Sequence, residues 1–125
     1  MGIMKQKEHQ WKHVGGPMYA DKADPQYEEF KQTQKETGVS PDELWSFFTT
    51  IACFILPRMK MFREYASGSI PRCFRTSDEW VAEIDKMIDA FSLIAEEKEA
   101  YDKQEKARIK AGLNSFIKYF FALWC

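Results

Sequence analysis

A run of positive charge between residues 58 and 75 is the part of this sequence best suited to binding chemistry. Five cations stand there against a single acid, Glu64: Arg58, Lys60, Arg63, Arg72 and Arg75. Guanidinium groups bind phosphates through paired hydrogen bonds, and aromatic rings stack on bases. The run therefore predicts an anion-binding site for a nucleotide-like ligand, with Trp45 or Trp80 nearby.

The residues that follow this run offer a competing explanation for it. Residues 78–89 hold five acids and one lysine, so Arg72 and Arg75 can be neutralised by ion pairs within the chain. The free amide groups at a helix start near Thr76 would instead favour a bound anion. Both interpretations stay open at this point.

Arg58 raises the same question by itself. On a helical wheel drawn from Leu44 it falls inside the apolar stripe, and a buried charge must have a partner because its desolvation is costly. That partner is either a carboxylate, such as Glu83 or Glu105, or an anionic ligand. A bend at Pro57 that turned Arg58 outward would remove the requirement.

The other reactive residues are poorly placed for catalysis. His9 and His13 lie four residues apart in a polar segment with only Glu8 beside them, which predicts a solvated tail rather than a metal site. The sequence has neither a Glu-x-x-His motif nor a phosphate-binding glycine loop. Its three widely spaced cysteines fit neither a disulfide framework nor zinc ligation, and we expect thiols. We expect no enzyme activity, no metal and no cofactor.

Composition sets the broad class of the protein. The chain has 125 residues and a formal net charge of −1, which predicts one domain and argues against polycationic binding to nucleic acid or a membrane. Aromatic residues make up 15% of the sequence, more than a disordered chain carries. No apolar run approaches the ~20 residues of a membrane span. The sequence predicts a soluble, cytoplasmic protein.

Helices must position these residues, and capping residues in the sequence mark where the helices start. Three capping boxes, each a cap residue followed by Glu three positions later, predict helix starts at Ser40, Thr76 and Asp102. A first-turn proline and a glycine stop bound a shorter helix over 25–37. Apolar residues recur at helical spacing after each start, and no segment alternates as a strand does.

The predicted fold is all-α: an antiparallel helical bundle of three long helices with the short helix on the outside. Pro57 falls inside the first long helix, so we expect a kink there and a helix end near Tyr65. Gly112 should let a neighbouring helix approach the last one closely. Residues 1–24 are predicted to form a polar N-terminal arm, and residues 25–125 the bundle domain.

The first long helix is apolar over more than half of its circumference. Its stripe through Leu44, Phe48 and Ile51 is widened by further aromatic side chains, beyond what two neighbouring helices cover. Such a helix is central or lies at a subunit interface. We predict a homo-oligomer, most simply a dimer with residues 44–62 at the two-fold axis.

Several stretches within roughly the last 80 residues also carry a family resemblance. They are T-I-A-C-F-I-L-P-R-M-K-M-F-R-E at 50–64, Trp80 with I-D-K-M-I-D-A-F at 84–91, and G-L-N-S-F-I-K-Y-F-F-A-L-W at 112–124. Together they resemble a group of small helical proteins predicted in bacteriophages and prophages. Pro57-Arg58 and the loop from Gly68 to Pro71 match recurring features of that group. Its loop is usually Gly-aromatic-Pro, whereas Ser69-Ile70 intervenes here.

The resemblance implies a phage gene product that acts in the host cytoplasm, where small phage proteins are commonly inhibitors or ligand traps. With the cation run, it leads to a first hypothesis: a non-enzymatic binding protein that counters a host defence by sequestering an anionic signalling nucleotide. The alternative is a protein-interaction or structural component that uses helix 44–62 as its interface with a second copy or a host protein.

Overall fold

The structure, a computed structural model, describes residues 19–68 and 70–124. Within them the chain is all-helical and has no strand, which confirms the predicted fold class. The described residues form four α-helices: α1 (Tyr27–Thr37), α2 (Phe47–Tyr65), α3 (Ser77–Ala95) and α4 (Lys103–Lys118). The short 3-10 segments are Pro41–Leu44, Ala66–Gly68 and Phe120–Ala122. The chain divides into two compact units, Met1–Phe54 and Ile55–Cys125.

Reciprocal capping hydrogen bonds start the last two helices. At α3, Thr76 Oγ1 accepts the Glu79 N–H at 3.2 Å while the Glu79 carboxylate accepts the Thr76 N–H at 3.1 Å. Asp102 and Glu105 make the same pair at α4, at 2.8 and 3.0 Å. Each box satisfies amide donors that a helix start leaves without partners. Both capping boxes were predicted from the sequence, and both are present.

The capping box at Ser40 starts a shorter helical segment than the sequence predicts. The Ser40 N–H donates to Glu43 at 2.7 Å, but the segment that follows is one 3-10 turn, Pro41–Leu44. The α-helix begins only after that turn and then continues through Pro57 to Tyr65. The helix end expected near Tyr65 is confirmed, and a kink at Pro57 stays a prediction.

Asp42 ties this 3-10 turn to an earlier part of the unit Met1–Phe54. Its carboxylate is fully buried and accepts the backbone N–H groups of Tyr19 and Ala20 at 2.6 and 2.8 Å. The Ser40 hydroxyl donates to the same carboxylate. A buried carboxylate needs such donors because desolvation without them is costly. The last residues of the predicted arm, from Tyr19 on, therefore dock within this unit.

The core of the unit Ile55–Cys125 lies between α3 and α4. The buried side of α3 is apolar at helical spacing: Trp80, Ile84, Met87, Ala90, Phe91, Leu93 and Ala95. Opposite it, a Cβ at Gly112 would stand 2.2 Å from the Lys86 carbonyl oxygen and 2.3 Å from the Ala90 Cβ. Only glycine permits so close an approach. The close contact predicted at Gly112 is confirmed.

Some expectations concern residues outside the described ranges. They include His9, His13 and Cys125. Of the other cysteines, Cys53 is buried and Cys73 is exposed, and both are thiols. In the part of the chain that is described, no helix combines the length and the apolar character required to cross a bilayer.

Candidate functional site

The five cations predicted to bind a ligand all belong to the unit Ile55–Cys125, and all are exposed. Three of them lie on α2, and the other two lie in the segment before α3. Arg63 forms a two-pronged ion pair with Asp85, with Nε to Oδ1 at 2.5 Å and the second nitrogen to Oδ2 at 3.2 Å. Hydrogen bonding to Asp85 raises the pKa of the Arg63 guanidinium. Arg63 is thus already engaged by a carboxylate.

Neutralisation of Arg72 and Arg75 by residues 78–89, one of the two interpretations of the sequence, is not what the structure has. Among the described residues, neither guanidinium makes an ion pair, and the Lys60 ammonium makes none either. Acids of α3 pair with other cations: Asp85 with Arg63, Glu83 with Lys86, and Asp89 with Arg108. Three cations of the run therefore keep their charge open to solvent.

Glu79 is part of the cap at the start of α3. Its carboxylate accepts the backbone N–H groups of Arg75 at 2.9 Å and Thr76 at 3.1 Å, and both of these residues precede the first helical residue, Ser77. A helix N-terminus attracts anions through the amide groups of its first turn. The Glu79 carboxylate therefore fixes the backbone beside Arg75 without occupying those first-turn groups.

Arg58 does not lie on the buried face that the helical wheel suggested. Its side chain is exposed, and it lines an otherwise apolar cavity of about 270 Å³ together with Ile55, Met59, Phe62, Phe116 and Leu123. The two carboxylates considered as its partners are held by other groups. Glu83 accepts from Lys86 and Ser115, and Glu105 pairs with Lys98.

Trp80, expected to stack on a ligand, is a core residue. Its ring is fully buried. It makes edge-to-face contacts with Phe62 and Tyr119, at centroid distances of 6.4 and 5.7 Å, and lies tilted against Phe74 at 5.3 Å. A fully buried indole offers no surface to a ligand. Its position explains instead how α3 is anchored among aromatic rings within its unit.

Trp45 belongs to the other unit, Met1–Phe54, and is 57% exposed. Its ring stacks with Tyr19 at 6.2 Å and meets Phe30 edge-on at 5.7 Å. These two contacts fix the position of the indole ring, while more than half of the residue is exposed to solvent. Trp45 is therefore available for contact with a partner, next to a larger apolar surface.

That surface, which we call the outer face of α2, consists of four exposed apolar residues of the helix and one of the preceding 3-10 turn. They are Leu44, Phe47, Phe48, Ile51 and Phe54, with exposures from 38% to 59%. At 100° per residue, Phe47, Ile51 and Phe54 fall on the side opposite the buried Ala52 and Leu56, and Phe48 lies between the two sides. The sequence predicted a helix too widely apolar to be covered by its neighbours, and the outer face is its uncovered part.

A smaller apolar strip runs along α4. A groove of about 410 Å³ is lined by Lys106, Ile109, Lys110, Leu113, Asn114 and Ile117. Ile109, Leu113 and Ile117 recur at steps of four along the helix and so share one side of it. The side of α4 that faces α3 is a different one, which carries Gly112 and Ser115. Ile117 is therefore 73% exposed.

The chain matches no family model, no curated protein and no solved structure. Its function has to be argued from its own surfaces. Among the described residues, no three His, Cys, Asp or Glu side chains are grouped as a metal ion would require. The surfaces that remain in the described ranges are the outer face of α2, the apolar strip along α4 and the three cations without ion pairs.

Asp42 is the structural residue that the sequence pattern did not reveal. Its position after a proline predicts an acid that complements a helix N-terminus, whereas the structure has it fully buried. Its hydrogen-bond donors, the Tyr19 and Ala20 N–H groups, lie more than twenty residues earlier in the chain. Helical and strand periodicity relate only residues that lie close together in the chain. Neither could therefore predict a contact over this separation.

Proposed function

We propose that this protein is a non-enzymatic binding protein that acts by association through the outer face of α2. The observation that carries the proposal is the exposure of that face: three phenylalanines, a leucine and an isoleucine face solvent on one unit. Isolated exposed apolar residues are ordinary on protein surfaces, but a contiguous group of this kind marks an interaction site.

The size of the outer face supports association with a second copy of the chain. An aromatic side chain has a surface of about 200 Å², so the exposed fractions leave on the order of 500 Å² of apolar surface per copy. Two such faces together approach the ~1,000 Å² at which specific interfaces begin. A two-fold axis brings the same patch of both copies together. The homo-oligomer expected from the sequence is therefore part of this proposal.

The finer architecture belongs to the same proposal. We expect the three long helices and the short one to form an antiparallel bundle, with a bend in α2 near Pro57. A proline inside a helix removes one backbone hydrogen bond and crowds the preceding turn, which favours a bend. Far-ultraviolet circular dichroism checks the composition of the whole chain, and more than a tenth of strand would contradict it.

Association is tested by sedimentation equilibrium on the full chain from low to high micromolar concentration. Wild type is expected to show a concentration-dependent dimer, and Ile51→Glu is expected to be monomeric because it places a charge in the interface. Lys60→Glu is the matched control: an exposed residue of the same helix, on another side. It should dimerise as wild type does. A wild-type monomer at several hundred micromolar, with no difference among the three proteins, contradicts the proposal.

The second candidate function is that of a phage-encoded protein which counters a host defence by sequestering an anionic signalling nucleotide. The observation that favours it is the absence of ion pairs at Lys60, Arg72 and Arg75 within the described residues. Open guanidinium groups are suited to phosphate. The burial of Trp80 and the engagement of Arg63 by Asp85 weigh against it, so we rank it second.

Thermal unfolding with a panel of cyclic and linear nucleotides tests this candidate. A ligand that binds the folded chain raises its melting temperature by mass action. The double variant Arg72→Ala/Arg75→Ala is expected to lose that shift, whereas Lys103→Ala/Lys106→Ala, an equal loss of charge on α4, keeps it. No shift with any nucleotide in wild type removes the candidate.

A further inference from the structure

The groove along α4 lies entirely within the unit Ile55–Cys125. All of the side chains that line it belong to this one helix, and we call them the α4 groove: Lys106, Ile109, Lys110, Leu113, Asn114 and Ile117. Ile117 is 73% exposed, and Phe121, just beyond the helix end, is 92% exposed. The part of the chain that the structure describes therefore leaves this apolar surface uncovered. Neighbouring apolar side chains left in solvent mark an interaction site.

The charges that line the α4 groove are of one sign. Lys106 and Lys110 are exposed, and among the described residues neither makes an ion pair. Glu105 is the one acid of α4, and it pairs with Lys98. At 100° per residue Glu105 falls close to Gly112, on the side that meets α3. A lysine lays its aliphatic stem along apolar surface and keeps its ammonium in water. The groove thus combines an apolar floor with a cationic edge.

This combination indicates the chemistry of the surface that fits the groove. A complementary surface presents apolar side chains to the floor and carboxylates to the two lysines. A second copy of the α4 groove brings only further lysines, and like charges that meet across an interface are unfavourable. A helix has the matching shape, because the side-chain rows of one helix pack into the grooves between the rows of another.

An anionic lipid surface fits the same groove less well. Helices with lysines beside an apolar side do bind such surfaces. However, the exposed acids Glu96, Glu99 and Asp102 stand just before α4, and an extended anionic surface meets them as well as the lysines. The net charge of −1 supplies no overall attraction to it either. A peptide helix covers the groove alone and avoids these acids.

We propose that the α4 groove binds an acidic amphipathic helix of another protein. The apolar side chains of that helix lie on Leu113 and Ile117, and its carboxylates bind the ammonium groups of Lys106 and Lys110. This is recognition of a helix in an apolar groove. The inference concerns a surface other than the outer face of α2 and does not depend on association there.

A designed peptide tests this chemistry on the full chain. The probe is a fluorescein-labelled, helix-forming peptide with leucines along one side and glutamates on both flanks of that side. A second peptide carries lysine in place of every glutamate. Fluorescence anisotropy is expected to show saturable binding of the glutamate peptide, weakened by added salt because charges contribute, and no binding of the lysine peptide. The absence of saturable binding of the glutamate peptide at several hundred micromolar protein contradicts the proposal.

Charge reversal tests the part of the two lysines. Lys106→Glu/Lys110→Glu is expected to lose about tenfold or more in affinity for the glutamate peptide and to bind the lysine peptide instead. Unfolding cannot produce that exchange of preference. Arg72→Glu/Arg75→Glu, an equal reversal at exposed cations of the same unit, is the matched control and should bind the glutamate peptide as wild type does. Equal losses in both double variants mean general attraction to cations, which overturns the proposal.

Ile117→Ser tests the apolar floor. The residue is mostly exposed, so circular dichroism should show the wild-type fold, and affinity for the glutamate peptide is expected to fall several-fold. Unchanged affinity overturns the groove as the binding site. Two further results assign the groove to a different occupant and overturn the proposal. One is binding to phosphatidylcholine and phosphatidylglycerol vesicles without binding of the peptide, and the other is a wild-type dimer that Ile117→Ser makes monomeric.

Discussion

Single residues in this protein have surroundings that their sequence context does not disclose. Arg58 falls within an apolar stripe on the helical wheel, yet its side chain is exposed. The wheel gives the angle of a side chain about the helix axis but not which side of the helix is covered. On a helix that is apolar over more than half of its circumference, the apolar pattern alone does not mark which part of it is buried. The exposure of Arg58 could therefore not be predicted from spacing.

Asp42 provides a test of the contacts that hold the unit Met1–Phe54. Replacing Asp42 with alanine leaves the N–H groups of Tyr19 and Ala20 and the Ser40 hydroxyl without their acceptor. Each buried donor left unsatisfied costs about 1–3 kcal/mol. We expect Asp42→Ala to lower the free energy of unfolding by about 3 kcal/mol, measured by urea denaturation.

The control for Asp42→Ala is Glu99→Ala, which removes an exposed acid that makes no ion pair among the described residues. Its stability should change by less than ~0.5 kcal/mol, as for ordinary surface substitutions. A loss at Asp42 no larger than that of the control would show that the buried carboxylate does not hold this unit together.

At the scale of helices, the sequence predicted the features that depend on residues next to one another in the chain. The boxes at Thr76 and Asp102 lie next to the helices they start, and both are present. The Ser40 box is present as well, but the Asp42 contact with residues 19 and 20 accompanies a 3-10 turn in place of a helical start. Tertiary contacts override local propensity in such places. The same limit applies to α4, whose contact side depends on the helix it meets.

Gly112 is the element-scale feature with the sharpest expected effect. Alanine there would bring its Cβ to 2.2 Å from a backbone oxygen of α3, and a backbone atom cannot move aside as a flexible side chain can. The two helices would have to separate, which costs about 1–3 kcal/mol for overpacking and more when backbone must shift. Alanine gains about 1 kcal/mol of helix propensity, too little to offset a backbone shift. We expect Gly112→Ala to lower the melting temperature.

Gly68→Ala is the control for Gly112→Ala. A Cβ at Gly68 meets nothing within 4 Å, so its melting temperature should stay the same or rise slightly as the unfolded chain loses freedom. Equal melting temperatures for Gly112→Ala and wild type would mean that α3 and α4 approach less closely than described.

For the whole molecule, the composition gives the net charge but not which charged side chains form ion pairs. The net charge of −1 with acids and bases in separate runs suggested pairing between neighbouring runs. The structure forms one such pair, Arg63 with Asp85, and otherwise pairs Asp89 with Arg108, Glu83 with Lys86, and Lys98 with Glu105. The pair between Asp89 and Arg108 joins α3 to α4, so it depends on how these two helices meet at Gly112. The open cations of the run could not be identified before the fold was known.

These ion pairs predict how the stability of the unit Ile55–Cys125 depends on pH. Hydrogen bonding from Arg108 lowers the pKa of Asp89, and hydrogen bonding from Lys98 lowers the pKa of Glu105. Burial raises the pKa of Glu83, but hydrogen bonds from Lys86 and Ser115 outweigh it and the net direction is downward. All three carboxyls thus hold their protons less tightly in the folded chain than in the unfolded one.

A carboxyl whose pKa is lowered by folding stabilises the folded state above its unfolded pKa, about 3.9 for Asp and 4.3 for Glu. That stabilisation is lost as the pH falls through the lower, folded value. We therefore expect the free energy of unfolding, from urea titrations at pH 7, 4 and 3, to fall mainly below pH 4. Asp89→Asn should be less stable than wild type at pH 7 and should approach it at pH 3, because the proton removes the same charge. Parallel curves for the two proteins across this range would mean that the Asp89 to Arg108 pair contributes no pH-dependent stability.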